Sequence, residues 1–151
     1  MAGCGFRLRG TADVPFETVY VPNATTGIAL DLKRNIQAGT RAKVIDDRKR
    51  ADAIVEFTEE ARQKEILSLT GTGRVREYQL RYRVGFRVHD GKGGEYVPQS
   101  SIILTRDITF NDSAVLAKEA EEQLLYRDMQ TDMVQQIMRR LANAQPPKPK
   151  E

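Results

Sequence analysis

One long alternation between Arg74 and Val88 constrains this chain more than any other feature. Tyr78, Leu80, Tyr82, Val84, Phe86 and Val88 occupy its even positions, and Glu77, Gln79, Arg81, Arg83 and Arg87 its odd ones. Successive side chains of an extended segment point to opposite faces, so this is a half-buried antiparallel strand with one apolar face and one basic, wet face. At about 3.3 Å per residue the strand is roughly 50 Å long. Turn signals bound it, Thr70-Gly71-Thr72-Gly73 before and Asp90-Gly91-Lys92-Gly93-Gly94 after. Upstream, Ala53, Val55 and Phe57 share one parity, which is expected to continue at Leu67 and Leu69 beyond the charged stretch Glu59 to Lys64. Downstream, Tyr96, Ile102, Leu104, Ile108 and Phe110 mark a last strand, with Pro98 at an edge or a bulge.

Asn111, Asp112 or Ser113 can cap a final helix that runs to about Ala142. Its stripe is Leu125, Met129, Met133, Ile137 and Leu141, widened by Tyr126, Val134 and Met138. The rod is roughly 45 Å long, so it matches the strand and can cover the sheet's apolar face over most of its extent. Nearer the N-terminus, Thr18 to Val21 form a short strand stopped by Pro22-Asn23. Thr25 or Thr26 caps a helix carrying Ile28, Leu32 and Ile36, with Gly39 expected at its C′ position, and Lys43-Val44-Ile45 make a short extended piece. The order predicts a two-layer α+β fold: an about four-stranded, mostly antiparallel sheet covered on one face by two helices, the longer one C-terminal. Residues 1–16 read as a lead-in, 17–142 as a single domain, and 143–151 as a disordered Pro/Lys tail.

Hydrophobic residues at 40% and charged ones at 30% fit a globular core that needs no disulfide framework. One cysteine and one histidine exclude an intrachain disulfide and an ordinary zinc site. No run of about eighteen apolar residues exists to span a bilayer. A net charge of +3 is too small, by itself, to argue for nucleic acid.

Met1-Ala2-Gly3-Cys4-Gly5 holds the only thiol. Small residues just before a cysteine suit bacterial lipoprotein processing, after which the cysteine carries acyl chains that hold a protein to a membrane. The charged and apolar regions of a signal peptide are missing from these residues, so the numbering is expected to omit one. An ordinary free cysteine fits the pentapeptide equally well.

Charges distant in sequence are expected to meet. The last strand runs back to the turn at Gly71 to Gly73, and the long helix starts there, so Arg74, Arg76, Arg106 and Lys118 should converge beside a helix N-terminus that favours anions. Arg81, Arg83 and Arg87 form a second, mid-sheet basic stripe. Both groups also read as solvated faces. His89 beside Asp90 assembles no Ser/His/Asp arrangement, the adjacent pairs Asp46-Asp47 and Glu59-Glu60 point to opposite sides of a strand, and Thr70 to Gly73 lacks the lysine and helix of a phosphate loop. An enzyme is therefore not expected, nor a cofactor. One rival is an RNA-binding module that stacks bases on Tyr78, Tyr82 and Phe86; against it, those rings share the face the helix should cover. Another is a generic periplasmic domain that binds protein only.

Three stretches carry a family resemblance. Cys4-Gly5-Phe6-Arg7-Leu8-Arg9-Gly10, Gly73-Arg74-Val75-Arg76-Glu77-Tyr78-Gln79-Leu80 and Val115-Leu116-Ala117-Lys118-Glu119 resemble, in order and spacing, signatures of the lipopolysaccharide-assembly lipoprotein family LptE, and the likeness extends from Cys4 to Leu141. The resemblance implies a non-catalytic outer-membrane lipoprotein, anchored through acylated Cys4 and seated as a plug inside the LptD β-barrel. It implies that the pair moves lipopolysaccharide to the outer leaflet, with no nucleic acid partner. Lys118 matches the family's lipopolysaccharide contact in the Leu-Ala-Lys motif. Gly71 stands where the family's other basic contact falls, with Arg74 the nearest substitute, and Met1 stands where a leucine is usual. Gly5 after the cysteine fits export to the outer membrane. Arg81, Arg83 and Arg87 become candidates to meet polar or acidic groups on the barrel wall.

Overall fold

The alternating segment is β4 (Val75–His89), and it sits between two other long strands, β3 (Ala53–Leu69) and β5 (Glu95–Thr109), each antiparallel to it. The computed structural model describes residues 12–148; Cys4 and its expected acylation therefore lie outside the described residues. β1 (Thr18–Tyr20) runs parallel both to the start of β3 and to β2 (Lys43–Val44). The result is a five-stranded mixed sheet in the order β2-β1-β3-β4-β5. The additional strand is β2, whose two residues are too few to show a period.

Helices α1 (Gly27–Gly39) and α2 (Val115–Ala142) pack beside each other and share one core with the sheet. Leu80, Tyr82, Val84, Phe86 and Val88 are wholly buried from β4, against Leu32 and Ile36 of α1 and Met129, Met133, Ile137 and Leu141 of α2. Burying each such side chain contributes about 1.5–3 kcal/mol, so this face dominates the folding energy. Gly39 is not a left-handed cap: α1 runs through it, and Thr40 closes the helix. The Thr40 hydroxyl donates to the Ile36 carbonyl (2.8 Å) and accepts from the Ala42 N–H (3.1 Å).

The parity expected for β3 fails at a bulge. Phe57 pairs with Phe86 and Glu59 with Gly85, so Thr58 is an extra residue. Beyond it the core face passes from odd to even positions, and Glu60, Arg62, Lys64 and Ile66 lie opposite Val84, Tyr82, Leu80 and Tyr78. Two further register shifts follow at Ile66/Ser68 and Ser68/Leu69, and Leu67 and Leu69 are exposed instead of continuing the apolar face. The polar residues cover the core with their stems and ends: Glu60 accepts from the Tyr82 hydroxyl (2.8 Å), and the Arg62 guanidinium lies 5.0 Å from the Tyr82 ring centre. Burial pushes the Tyr82 hydroxyl pKa up, and the bond to Glu60 adds to it. A similar register shift at the start of β5 accommodates Pro98 on the sheet edge, as its position suggested.

The chain ends join the fold further out than expected. Phe16 is buried, with its ring edge-on to Tyr96 at 5.4 Å, and Ala144 packs against the core. Pro147 lies so close to Gly94 that a side chain there would meet it at 2.5 Å.

Gly85 is fixed by the bulge, since an added Cβ would lie 2.8 Å from the Thr58 hydroxyl oxygen and 3.3 Å from Glu59. Gly85→Val is expected to lower stability by about 2–3 kcal/mol in urea unfolding, whereas Gly71→Ala, with open space around it, should change it by less than about 0.5 kcal/mol. Equal effects of the two substitutions would refute the bulge packing.

Candidate functional site

The three long strands and α2 bring four segments to one end of the molecule: the end of β3, the turn before β4, the end of β5 and the start of α2. The turn closes with Thr70 N–H on the Arg74 carbonyl (2.7 Å) and Gly73 N–H on the Thr70 carbonyl (2.9 Å). Gly73 adopts φ +80°, a region that disfavours any side chain. Across the tip, Asn111 accepts from the Ser113 N–H (3.0 Å) and starts a 3-10 turn that leads into α2. The first turn of α2 itself has no side-chain cap and no acidic residue; the cap, Asn111, and the acidic Asp112 belong to the 3-10 turn that leads into it.

Three of the four expected cations meet at this tip. Arg74 pairs with Asp112 beside the helix start (3.3 Å), and Arg76 accepts the Phe110 N–H on its carbonyl (2.9 Å). Lys118 donates from Nζ to the Thr109 hydroxyl and to Glu121, both at 3.0 Å. Arg106 is not part of the group. The register sets it opposite Leu80, and from that row its side chain turns to Asp132 midway along α2 and does not enter the cleft that Lys118 lines. The strand's direction brings Arg106 towards that end but does not say which carboxylate its side chain turns to.

Lys64 starts from the same cross-strand row as Arg106, but the Thr58 bulge turns it onto the helix side and its side chain reaches the tip cleft, a placement that the sequence pattern does not show. Its Nζ lies 4.4 Å from the Tyr78 ring centre and 2.7 Å from Glu122, and it lines the same cleft as Lys118. The hydrogen bond to Glu122 raises its pKa, with burial opposing. The tip is therefore a charge network more than a bare cationic patch: among the described residues, Arg74, Lys64 and Lys118 each hold a carboxylate, and Arg76 forms no ion pair. Such exposed pairs contribute about 0.2–1 kcal/mol each, so a phosphate that offers better geometry can replace the carboxylate.

Large aliphatic side chains stand open around these charges. Leu116 is 83% exposed, Ile66 59% and Leu69 55%, with Leu67 and Val115 nearby in the chain. Cations beside open hydrocarbon suit a ligand with an anionic head and acyl chains. The rings needed for base stacking are not free: Tyr82 and Phe86 are wholly buried, and Tyr78 lies under Lys64 with Phe110 edge-on at 5.5 Å.

On the opposite, helix-free sheet face, the stripe of Arg81, Arg83 and Arg87 is interleaved with glutamates from β3. Arg83 pairs with Glu59 (3.1 Å) and Arg87 with Glu56 (2.7 Å), and the Arg87 hydrogen bond lowers the Glu56 pKa. Arg81 lies between Gln63 and Thr105, with its Nε buried and unpartnered. Ile103 of β5 is also open to solvent.

The family described as LptE, lipopolysaccharide-assembly, matches residues 16–141. An LPS-assembly lipoprotein LptE of Yersinia pestis is 31% identical over 144 residues, covering 93% of this chain and 69% of that protein. The Pectobacterium atrosepticum protein of the same name is 28% identical, with 93% and 77% covered. Among solved structures, an uncharacterised lipoprotein B from Nitrosomonas europaea superposes with a TM-score of 0.76 at 47% identity, covering 89% of this chain and 88% of that one. The rare lipoprotein B of Shewanella oneidensis has the same fold, with a TM-score of 0.71 at 23% identity over 83% of this chain and 92% of that one.

The Lys64–Glu122 contact gives a direct check on the tip geometry. A raised lysine pKa means that the pair stabilises the fold below about pH 10 and loses that contribution as pH rises through the folded value. With Lys64 38% exposed, screening holds the contribution to about 0.5 kcal/mol. NMR titration should find the Lys64 amine above 10.5, and Glu122→Gln should bring it down towards that value; an unshifted Lys64 in both proteins would contradict the contact.

Proposed function

Because the chain belongs to the LptE family of lipopolysaccharide-assembly lipoproteins, we propose that it works without catalysis, at the outer membrane, as the lipid-anchored partner and plug of the LptD β-barrel. In this reading acylated Cys4 holds the chain to the membrane, and the tip of Arg74, Arg76 and Lys118 engages lipopolysaccharide during its assembly. Lys64 serves beside Lys118. The observation that carries the ligand assignment is the placement of these cations among the open side chains of Ile66, Leu69 and Leu116. Lipopolysaccharide presents the same two chemistries together, phosphates and acyl chains. Arginine meets phosphate through paired N–H donors, and lysine meets it as a point charge. The tip thus offers both kinds of contact at once.

The helix-free face supplies the barrel contact in this proposal. Arg81, Arg83 and Arg87 alternate with Glu56 and Glu59, so the face carries both signs of charge and suits a polar barrel interior better than hydrocarbon. Arg106 belongs to neither surface, since Asp132 holds it between sheet and helix.

Capture of lipopolysaccharide by the purified chain tests the tip assignment. Arg76→Glu combined with Lys118→Glu is expected to weaken binding about tenfold or more, as expected from loss of two charge-assisted contacts. Arg106→Ala should leave binding within about twofold. Unchanged binding in the folded double variant, or an equal loss in Arg106→Ala, would overturn the assignment.

A further inference from the structure

The end of the molecule opposite the tip carries a second set of cations that the proposed lipopolysaccharide site does not use. The β4–β5 turn, Asp90 to Gly94, stands between two surface hollows. Arg139, Arg140 and Lys148 line one, beside Tyr96, and Arg48, Lys49 and Lys92 line the other. Among the described residues none of these six takes part in an ion pair. The carboxylates lining the two hollows are Asp90 and Glu95. Asp90 is turned inward and accepts the N–H groups of Lys92 (2.7 Å) and Gly94 (2.9 Å), which hold its pKa below the usual range. Glu95 lies 4.0 Å from Arg87, itself bound to Glu56. The contrast with the tip is direct, because there most of the cations hold a carboxylate.

We infer that this end is an electrostatic docking surface for an anionic phospholipid headgroup layer. The cations are distributed on both sides of a projecting turn and do not converge on one point, which fits a broad charged plane better than a single small anion. Each lysine or arginine near such a plane adds to the attraction, which decays within a Debye length. The path of the chain favours a lipid plane over an acidic protein. Ala12 N–H bonds the Gly39 carbonyl (2.7 Å) and Phe16 packs on Tyr96, so the described chain begins at this same end. Cys4 precedes Ala12 by eight residues, a reach of at most about 29 Å, whereas the tip is roughly 50 Å away along β4. An acyl anchor at Cys4 would therefore hold this end, and not the tip, against the bilayer. That orientation rests on the lipid-anchor part of the proposed function; the charge argument does not.

Co-flotation with vesicles tests the surface alone when the full chain carries Cys4→Ser and so has no acyl chain. The chain should bind phosphatidylcholine vesicles that contain phosphatidylglycerol, weaken with added salt, and not bind pure phosphatidylcholine vesicles. Lys49→Glu, Lys92→Glu and Arg139→Glu together, all exposed side chains, should reduce binding about tenfold or more, while Arg76→Glu with Lys118→Glu at the tip should leave it intact. Equal binding to both kinds of vesicle, loss only with the tip variant, or capture of an acidic protein without vesicle binding would overturn the inference. The two assignments fail separately: the tip variant reads out on lipopolysaccharide, and the variant at this end reads out on phosphatidylglycerol.

Discussion

The rest of the structure depends on the burial of one face of β4. Leu80, Tyr82, Val84, Phe86 and Val88 are excluded from water together, and that is possible only with long strands hydrogen-bonded on both sides and helices across the face. Once β4 is central, β3 and β5 must run antiparallel to it through short turns, and the two ends of the molecule are set far apart. The length of the strand thus creates the separation of the two charged ends.

That core is not covered uniformly. Near the chain termini α1 and α2 seal it with Leu32, Ile36, Ile137 and Leu141. Towards the tip only α2 remains, and on the β3 side the stems of Arg62 and Lys64 close over Tyr82 and Tyr78. Charged side chains there both shield aromatic rings and face solvent, and strand β3 beyond β1 gains edge protection from the same residues. The thin cover leaves Leu116 and Ile66 open, in the place where the proposed amphiphile would lie.

Much of this was legible in the sequence because it rests on local period. The alternation of β4, the stripe of α2 and the glycine turns at Gly73 and Gly91 are all short-range patterns, and they gave the α+β architecture; the motifs at Arg74 and Lys118 pointed to the family that the chain belongs to. What was not legible depends on register. A single extra residue at Thr58, accommodated because Gly85 has no side chain, moved Lys64 to the helix side, and two further register shifts near Ser68 interrupt the alternation again before Leu69. Arg106 was lost from the tip for another reason: Asp132, far from it in sequence, draws its side chain to the middle of α2. Gly39 looked like a helix cap, but the Thr40 hydroxyl does that work without a positive φ.

Site-specific photo-crosslinking in intact outer membranes tests the central claim most directly. A photoreactive residue in place of Leu116 at the tip should capture lipopolysaccharide, and one in place of Ile103 on the helix-free face should capture the barrel protein. Lipopolysaccharide attached at Ile103, with no adduct at Leu116, would contradict the account.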